Sequence, residues 1–390
     1  MPITTAPPRP TTKQDVLDRV LPLVPKFRER AMAAEEARRL PDESIRELID
    51  AGVARILVPP HFGGYGLGLD AWFDVALQIG KGDASHAWCA SLMSHHAHMV
   101  GMFSHEAQQA VWANSPDVIV AASIQPRTEV TRVSGGYRVS GKSSAFASGV
   151  THSHWAVVGG LAEVSGPPEW VLFLLAPGEY TVRDTWFTAG MRGTGSNTVI
   201  TENVFVPNSR VLRIADLIAG NGPGSPPAGT HSVFRLPFYF YSALTFLAPM
   251  LGAARHAYES LRDGLKAKGA APGSAALKTS VQVGLARVAA DLDAVELLLR
   301  RALRVSEAAE PPASTLVART LRDYARCSEL LVQAIDALMA MSGTAGFAAS
   351  SPIQRAWRDI HFASSHVGLD TEKNFSIFGR GELGLPENPA

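Results

Sequence analysis

The hydrophobic period of this chain changes twice, and the two changes limit its fold more than any motif does. Apolar positions recur at helical spacing as far as residue 116, alternate from Asp117 to about Pro207, and then return to helical spacing for the rest of the 390 residues. A chain of this length exceeds one ordinary core. The pattern predicts an α+β protein with a helical unit over 1–116, a β unit over 117–212 and a helical bundle over 213–390.

In the first unit, Thr12 to Arg39 reads as a helix with Val16, Val20 and Leu23 on one face, and Pro41 to Ala51 as a second that Gly52 stops. The Gly/Pro-rich stretch Pro59 to Gly68 is a loop. Helices follow over Leu69 to Ile79, Ser85 to Val100 and, capped by Ser104, up to Ala113. In the middle unit the alternating runs are Val118 to Val120, Val130 to Val133, Tyr137 to Val139, Trp155 to Val158, Trp170 to Leu175, Thr181 to Phe187 and Thr198 to Val206, with a tight hairpin at Ser134-Gly135-Gly136. They predict an antiparallel barrel or sandwich. Asn221 to Thr230 reads as a loop, and four long helical patterns at 239–267, 275–308, 314–341 and 352–376 predict an up-and-down four-helix bundle.

The last pattern opens on Ser351-Pro352, a cap followed by proline at the first helical position. Ile353, Trp357, Ile360, Ser364 and Val367 form its buried stripe, Arg355 and Asp359 are spaced to pair, and His366 falls on another flank at a packed edge. The plain alternative is that His366 only satisfies a helix end.

Thirty-six basic and 36 acidic residues cancel, so bulk charge draws the chain to neither nucleic acid nor an anionic membrane. The expected partner is a small molecule. Met1 to Thr12 reads as a disordered arm without the pattern of a secretory signal, and no apolar run reads as long enough to cross a bilayer. Cys89 and Cys327 suit a reducing cytoplasm better than a disulfide framework.

Ser148 sits where Gly141-Lys142-Ser143-Ser144-Ala145-Phe146-Ala147-Ser148-Gly149 ends in a turn, with a glycine that lets backbone approach a ligand. It could equally be an ordinary turn serine. The run from Trp186 to Thr198 joins two strands, so its glycines fail the dinucleotide fingerprint, which must open a helix. Its amides, hydroxyls and large aromatic suit a flat ring with polar edges. His86, His95, His96, His98 and His105 read as crowding one helix, but their spacing lacks the acid of a zinc or di-iron set, and no metal is expected. The nucleophile elbow and the P-loop are absent.

Five motifs in order resemble one family over nearly the whole chain. Pro59-Pro60-His61-Phe62-Gly63-Gly64, Gly136-Tyr137 through Phe146-Ala147-Ser148-Gly149, Gly190-Met191-Arg192-Gly193-Thr194-Gly195-Ser196, Val204-Phe205-Val206-Pro207 and Gln354-Arg355-Ala356-Trp357-Arg358-Asp359 look like the acyl-CoA dehydrogenase fold. Within it they are most similar to the flavin-dependent monooxygenase branch. That resemblance implies an oxygenase component using reduced flavin, FMNH2 or FADH2, delivered by a separate NAD(P)H-dependent flavin reductase, and acting on a small aromatic, heteroaromatic or amine substrate. Acyl-CoA dehydrogenases need a carboxylate base, and one family site for it carries His366 here, while the other falls in Phe238 to Leu247, which has no acid. The resemblance implies instead that His366 hydrogen-bonds or protonates activated oxygen, with Ser148 beside the flavin ring, and imidazole near neutrality suits either task. It also implies that Ser123, Trp186, Thr194, Gly195 and Ser196 contact the flavin, and that His96, with His95 as the alternative register, faces the substrate. Phe234 and Phe238 are candidate pocket walls. A homotetramer is implied as well. Two departures count: Ser143 or Ser144 stands where phenol-hydroxylating relatives carry tryptophan, and the Arg-Phe-Gly that grips adenine in dehydrogenases is missing before Gln282. The rival readings are an acyl-CoA dehydrogenase and a catalytically silent scaffold of the same fold.

Overall fold

The computed structural model describes residues 12–163, 166–226, 233–269, 271–308 and 311–386. Six helices build the first unit: α1 (Lys13–Val20), α2 (Val24–Ala37), α3 (Asp42–Asp50), α4 (Leu69–Gly80), α5 (Ala84–Gly101) and α6 (His105–Trp112). The single helix expected from Thr12 to Arg39 is two, joined by a short 3₁₀ turn at Leu21–Leu23. Pro22 and Pro25 explain the interruption, since neither offers an amide to the helical ladder. Thr12 and Asp15 form a capping box on α1, Asp83 caps α5 and Ser104 caps α6.

The β unit is one seven-stranded sheet of β1 (Val120–Val133), β2 (Gly136–Ala147), β3 (Trp155–Ala162), β4 (Glu169–Leu175), β5 (Thr181–Arg183), β6 (Asn197–Pro207) and β7 (Val211–Arg213), in the order β5-β6-β2-β1-β3-β4-β7. The hairpin expected at Ser134-Gly135 is present, with Val133 opposite Gly136. The sheet is mixed rather than antiparallel, because β1 pairs antiparallel with β2 through Glu129 to Val133 but parallel with β3 through Val120 to Ser123. Between the two halves the register slips near Pro126, which has no amide to give the ladder. Alternation reports that a strand is half-buried and says nothing of its direction. On β3 and β4, Ala156, Val158, Val171 and Phe173 enter the sheet's own core, while Val157, Leu172 and Leu174 join the core of the helical units.

After α7 (Ile214–Ala219) and α8 (Phe238–Tyr241), the bundle is formed by α9 (Leu244–Lys268), α10 (Thr279–Ser306), α11 (Ser314–Ser342), α12 (Pro352–Ser364) and α13 (Thr371–Glu382). Residues 227–230 of the expected loop lie outside the described residues, as does the N-terminal arm before Thr12. The helix expected over 352–376 is broken: Ser364 Oγ and Ser365 Oγ donate back to His361 O and Phe362 O at 2.9 and 2.6 Å, and the chain turns extended at His366. Arg355 does not pair with Asp359. It reaches Glu35 on α2 at 3.5 Å, while Asp359 turns inward to the β unit, because Asp359 is buried and spends its carboxylate on the Met191 amide, which leaves Arg355 to the half-buried Glu35. Val367, assigned to the buried stripe, is exposed. By length and composition alone α11 could cross a bilayer, contrary to the sequence reading, yet its apolar face belongs to the bundle core through Leu321, Leu331, Ile335 and Leu338.

Helix α5 is the axis of the molecule. All 18 of its residues are buried, so it has no solvent face, although it carries four histidines and three serines.

Candidate active site

Where α5, the β unit and the bundle meet, six side chains from five segments converge. Trp88 of α5 donates its indole N–H to Ser148 Oγ at the end of β2, at 3.0 Å. Ser148 Oγ lies 2.7 Å from Ser196 Oγ, which lies 2.7 Å from Thr194 Oγ1, which donates to Met191 O at 2.8 Å. Each hydroxyl has one proton, so the order is forced: the Thr194 proton goes to the carbonyl, that of Ser196 to Thr194, and that of Ser148 to Ser196. Ser148 therefore meets a ligand as an acceptor. Phe246 of α9 packs at 4.7 Å from the Trp88 ring and 3.9 Å from the His366 ring, and His366 stands edge-on to Trp88 at 6.1 Å.

The turn that supplies Thr194 and Ser196 is held in an uncommon conformation. Met191 has φ 52° and Gly195 φ 54°, and Phe146 across the site has φ 67°; non-glycine residues in this region cluster at ligand sites. Asp359 of α12 accepts the Met191 amide at 2.6 Å. Gly190 passes so close to α12 that a Cβ there would lie 2.2 Å from Arg358 O. Trp186 is buried, with its N–H on Met191 O at 3.0 Å and its ring edge-on to Phe362 at 5.3 Å, so it serves as a wall and not as a donor.

His366 has a fixed tautomer. Its Nδ1 accepts from Gly368 N at 3.0 Å, which leaves Nε2–H as the donor of the neutral ring. Burial pushes its pKa down to about 4, so the ring is neutral at physiological pH and offers Nε2–H as a donor, which suits the first of the two tasks left open by the sequence, hydrogen-bonding or protonation. His96 is the reverse tautomer: Nδ1–H donates to Val120 O at 2.7 Å and Nε2 is left as an acceptor. It lines a small cavity with Cys89, Met93, Ser148 and Gly149. Burial lowers its pKa to about 4 as well.

Of the remaining candidates, Phe238 stacks on His95 at 5.6 Å, on the bundle side of α5. Phe234 stacks on His98 at 4.9 Å, about 15 Å along α5 from Trp88 at the rise of 1.5 Å per residue. Ser123 spends its proton on Ala145 O at 2.7 Å inside the sheet and stands outside the hydroxyl chain. His86 is fixed between Asp83 and Ser44, and His98 between Val233 O and Tyr241. Among the described residues no three His, Cys, Asp or Glu side chains are grouped to hold a metal. Trp88 and Phe246 were missed by sequence reasoning, because an aromatic in an apolar helical run reads as core.

The buried imidazoles set an acid limit to stability. His96, His98, His256 and His366 are each lowered by burial to about 4, so between 6.5 and 4 the unfolded chain binds protons that the folded one excludes. Stability is then lost as pH falls through that window. Asp359, raised by burial and by the nearby Asp83 to about 7, acts with the opposite sign between 3.8 and 7, but it is one group against these four and against His95 and His152, which burial also lowers. The melting temperature should therefore fall from pH 6.5 to 4.5, and His98→Gln should make the slope shallower. A melting temperature that is flat or rises over this range would contradict the assignment.

Comparison with known proteins settles the family. Residues 16–115 match the model for the acyl-CoA dehydrogenase N-terminal domain and 244–371 that for the C-terminal domain. The oxygenase subunit HsaA of a flavin-dependent monooxygenase from Rhodococcus jostii (strain RHA1) is 34% identical over 380 residues, 95% of this chain and 98% of that one. This chain belongs to the flavin-dependent monooxygenases of the acyl-CoA dehydrogenase fold. It aligns with the oxygenase component of an FADH2-dependent resorcinol hydroxylase from Rhizobium sp. (strain MTP-10005) at 32% identity over 398 residues, 97% of each chain. The crystal structure of 3-HSA hydroxylase from Rhodococcus sp. RHA1 superposes with a TM-score of 0.91 at 33% identity, covering 96% of this chain and 98% of that one. The candidate site is the junction of α5, β2, the 191–196 turn and the His366 link. Its acceptor serine, left-handed turns and aromatic walls fit a flat ring with polar edges.

Proposed function

We propose that this chain is the oxygenase component of a two-component system, taking reduced flavin, FADH2 or FMNH2, from a separate NAD(P)H-dependent reductase and hydroxylating a small aromatic substrate beside α5. The observation that carries this reading is the pairing of a neutral His366 donor with the one-way hydroxyl chain ending in Ser148. That pair offers hydrogen bonds and no carboxylate. The dehydrogenase alternative needs a base at this place, and the acid on α12, Asp359, is committed to the Met191 amide.

Ser148, Ser196, Thr194 and Trp186 would hold the flavin ring. When bound, reduced flavin supplies the two electrons that activate dioxygen. Ser148 would accept a ring N–H, since its own proton is directed to Ser196. Trp88 and Phe246 shut water out from the α5 side, which strengthens every hydrogen bond made inside. His366 would present Nε2–H as a hydrogen-bond donor on the side where oxygen is activated, and His96 Nε2 would accept a hydrogen bond from a substrate hydroxyl, its orientation fixed by Val120 O. The reading includes a cytoplasmic location, supported by the free thiols of Cys89 and Cys327, and no engagement with membrane or nucleic acid, supported by the balanced charge. It also includes a homotetramer, supported by exposed Leu277, Val283 and Leu297 on and beside α10.

The test is oxygen uptake with chemically reduced FAD and FMN and a panel of phenols. Uptake coupled to hydroxylated product is expected. A protein that purifies with stoichiometric oxidised FAD, which an acyl-CoA then reduces, would overturn the reading.

A further inference from the structure

Asp359 is a buried acid on α12, and among the described residues no cation pairs with it. Arg358 beside it turns to Glu35 and Ala189 O, and Arg355 also goes to Glu35. Asp83 at the start of α5 adds a second carboxylate nearby, and burial together with that neighbour raises the Asp359 pKa to about 7. A buried acid without a counter-ion costs stability that a leucine in its place would not. What the acid gains is one bond, from the Met191 amide at 2.6 Å.

That bond stands at the root of the hydroxyl chain. Met191 has φ 52° and ψ 29°, a left-handed conformation that a side chain disfavours. Its amide then meets α12, and its carbonyl accepts from Thr194 N at 3.1 Å, Thr194 Oγ1 at 2.8 Å and Trp186 Nε1 at 3.0 Å. Without the carboxylate, the buried Met191 amide has no acceptor, and only those three bonds oppose the strain. A turn that relaxes to meet either need moves the carbonyl, and the Thr194 proton loses its fixed acceptor. The turn is wedged between two helices: a Cβ on Gly190 would lie 2.2 Å from Arg358 O, and one on Gly193 2.9 Å from Ser85 Cβ on α5. Thr194 O also accepts from Gly149 N at 2.8 Å, so a shift at Met191 reaches Ser148 by backbone as well as by hydroxyls.

We infer that Asp359 is a positioning residue of the flavin site: by holding the Met191 amide it keeps the Met191 carbonyl under the Thr194 hydroxyl, and so fixes Ser148 as an acceptor. The inference rests on the reading of this junction as the seat of the flavin ring. Reduced flavin carries a ring N–H where oxidised flavin has a bare nitrogen. A Ser148 held as an acceptor serves the reduced ring, whereas a Ser148 free to turn its proton serves both.

Two measurements test it. In the first, binding of oxidised and dithionite-reduced FMN and FAD is measured by anaerobic ultrafiltration. Wild type should prefer the reduced form by about 10-fold or more, Asp359→Ala should bring the ratio toward about 1, and Asp359→Asn, which keeps an acceptor oxygen, should stay within about 3-fold of wild type. The second needs no flavin. Thr194→Val should lower the urea midpoint of wild type, and should lower that of Asp359→Ala by about half as much or less, because the two residues do not touch and are coupled only through Met191. Asp359→Leu takes the place of the alanine variant if the latter does not fold, and if neither folds the asparagine variant decides by keeping or losing the ratio. An unchanged ratio in the alanine variant, an asparagine variant that behaves like alanine, or additive urea shifts overturns the inference. A wild type that binds neither flavin overturns the flavin reading instead, and the urea shifts then decide by themselves whether Asp359 holds the chain.

Discussion

Replacing His366 by alanine is expected to lower product formation by roughly 10²–10³-fold, the usual loss when one donor to a developing charge is removed, while oxygen consumption continues and hydrogen peroxide accounts for the difference. The ring makes its local bond to Gly368 N at a turn between α12 and α13, so folding should be little changed. Wild-type coupling should be flat from pH 8 to about 5 and fail toward pH 4, where His366 takes up a proton at Nδ1 and Gly368 loses its acceptor. Ser148→Ala should give a milder version, worth about 0.5–1.5 kcal/mol for one neutral hydrogen bond. Product and peroxide yields from the same sample decide the matter. Normal coupling in the alanine variant would reduce His366 to a residue of the turn.

Trp88→Ala is expected to be the most destabilising single truncation in the site, by about 3–5 kcal/mol, the range for removing a large buried aromatic. The indole is 6% exposed and is held between Phe246, Ser148 and His366, so its loss leaves a hole that α5, packed on every side, cannot close. Trp88→Phe separates packing from hydrogen bonding: most of the volume stays, and Ser148 loses only its indole donor. Urea unfolding should show the alanine variant far below wild type and the phenylalanine variant within about 1.5 kcal/mol of it. Should the two variants be equally stable, Trp88 matters as a donor and not as a wall.

Much of the architecture was legible because period and caps act locally. Ser104 and Ser351 cap helices where their sequences say they should, and Ser134-Gly135 makes the hairpin. Most of what failed was set by distant partners. Nothing in alternation tells β1 that its first half will lie parallel to β3. The apolar period runs through Ser364-Ser365-His366 into the next helix, so the break there, made by two serine hydroxyls bonding back, is invisible to it. Arg355 and Asp359 have pairing distance along a helix, yet each finds a partner on another unit. The chemistry divides in the same way. Ser148 and His366 stand in motifs whose glycines and turns leave a trace, whereas Trp88 and Phe246 are distinguished only by what surrounds them.

The buried helix α5 has a consequence for how the molecule comes apart. Its polar groups are satisfied from every side: Ser94 by Val53 O and His86 by Ser44 from the first helical unit, His96 by Val120 O from the sheet, His95 by Thr245 and His98 by Tyr241 from the bundle. Each bond is worth little alone, but none can be kept if its unit leaves, and a leaving unit strands an imidazole or hydroxyl in an apolar interior. The borders near residues 116 and 212 are therefore changes of secondary structure and not lines of independent stability. The three units are bound into one cooperative body whose shared keystone is also a wall of the candidate site, so exchange protection of the α5 amides and the shape of that site are governed by the same contacts.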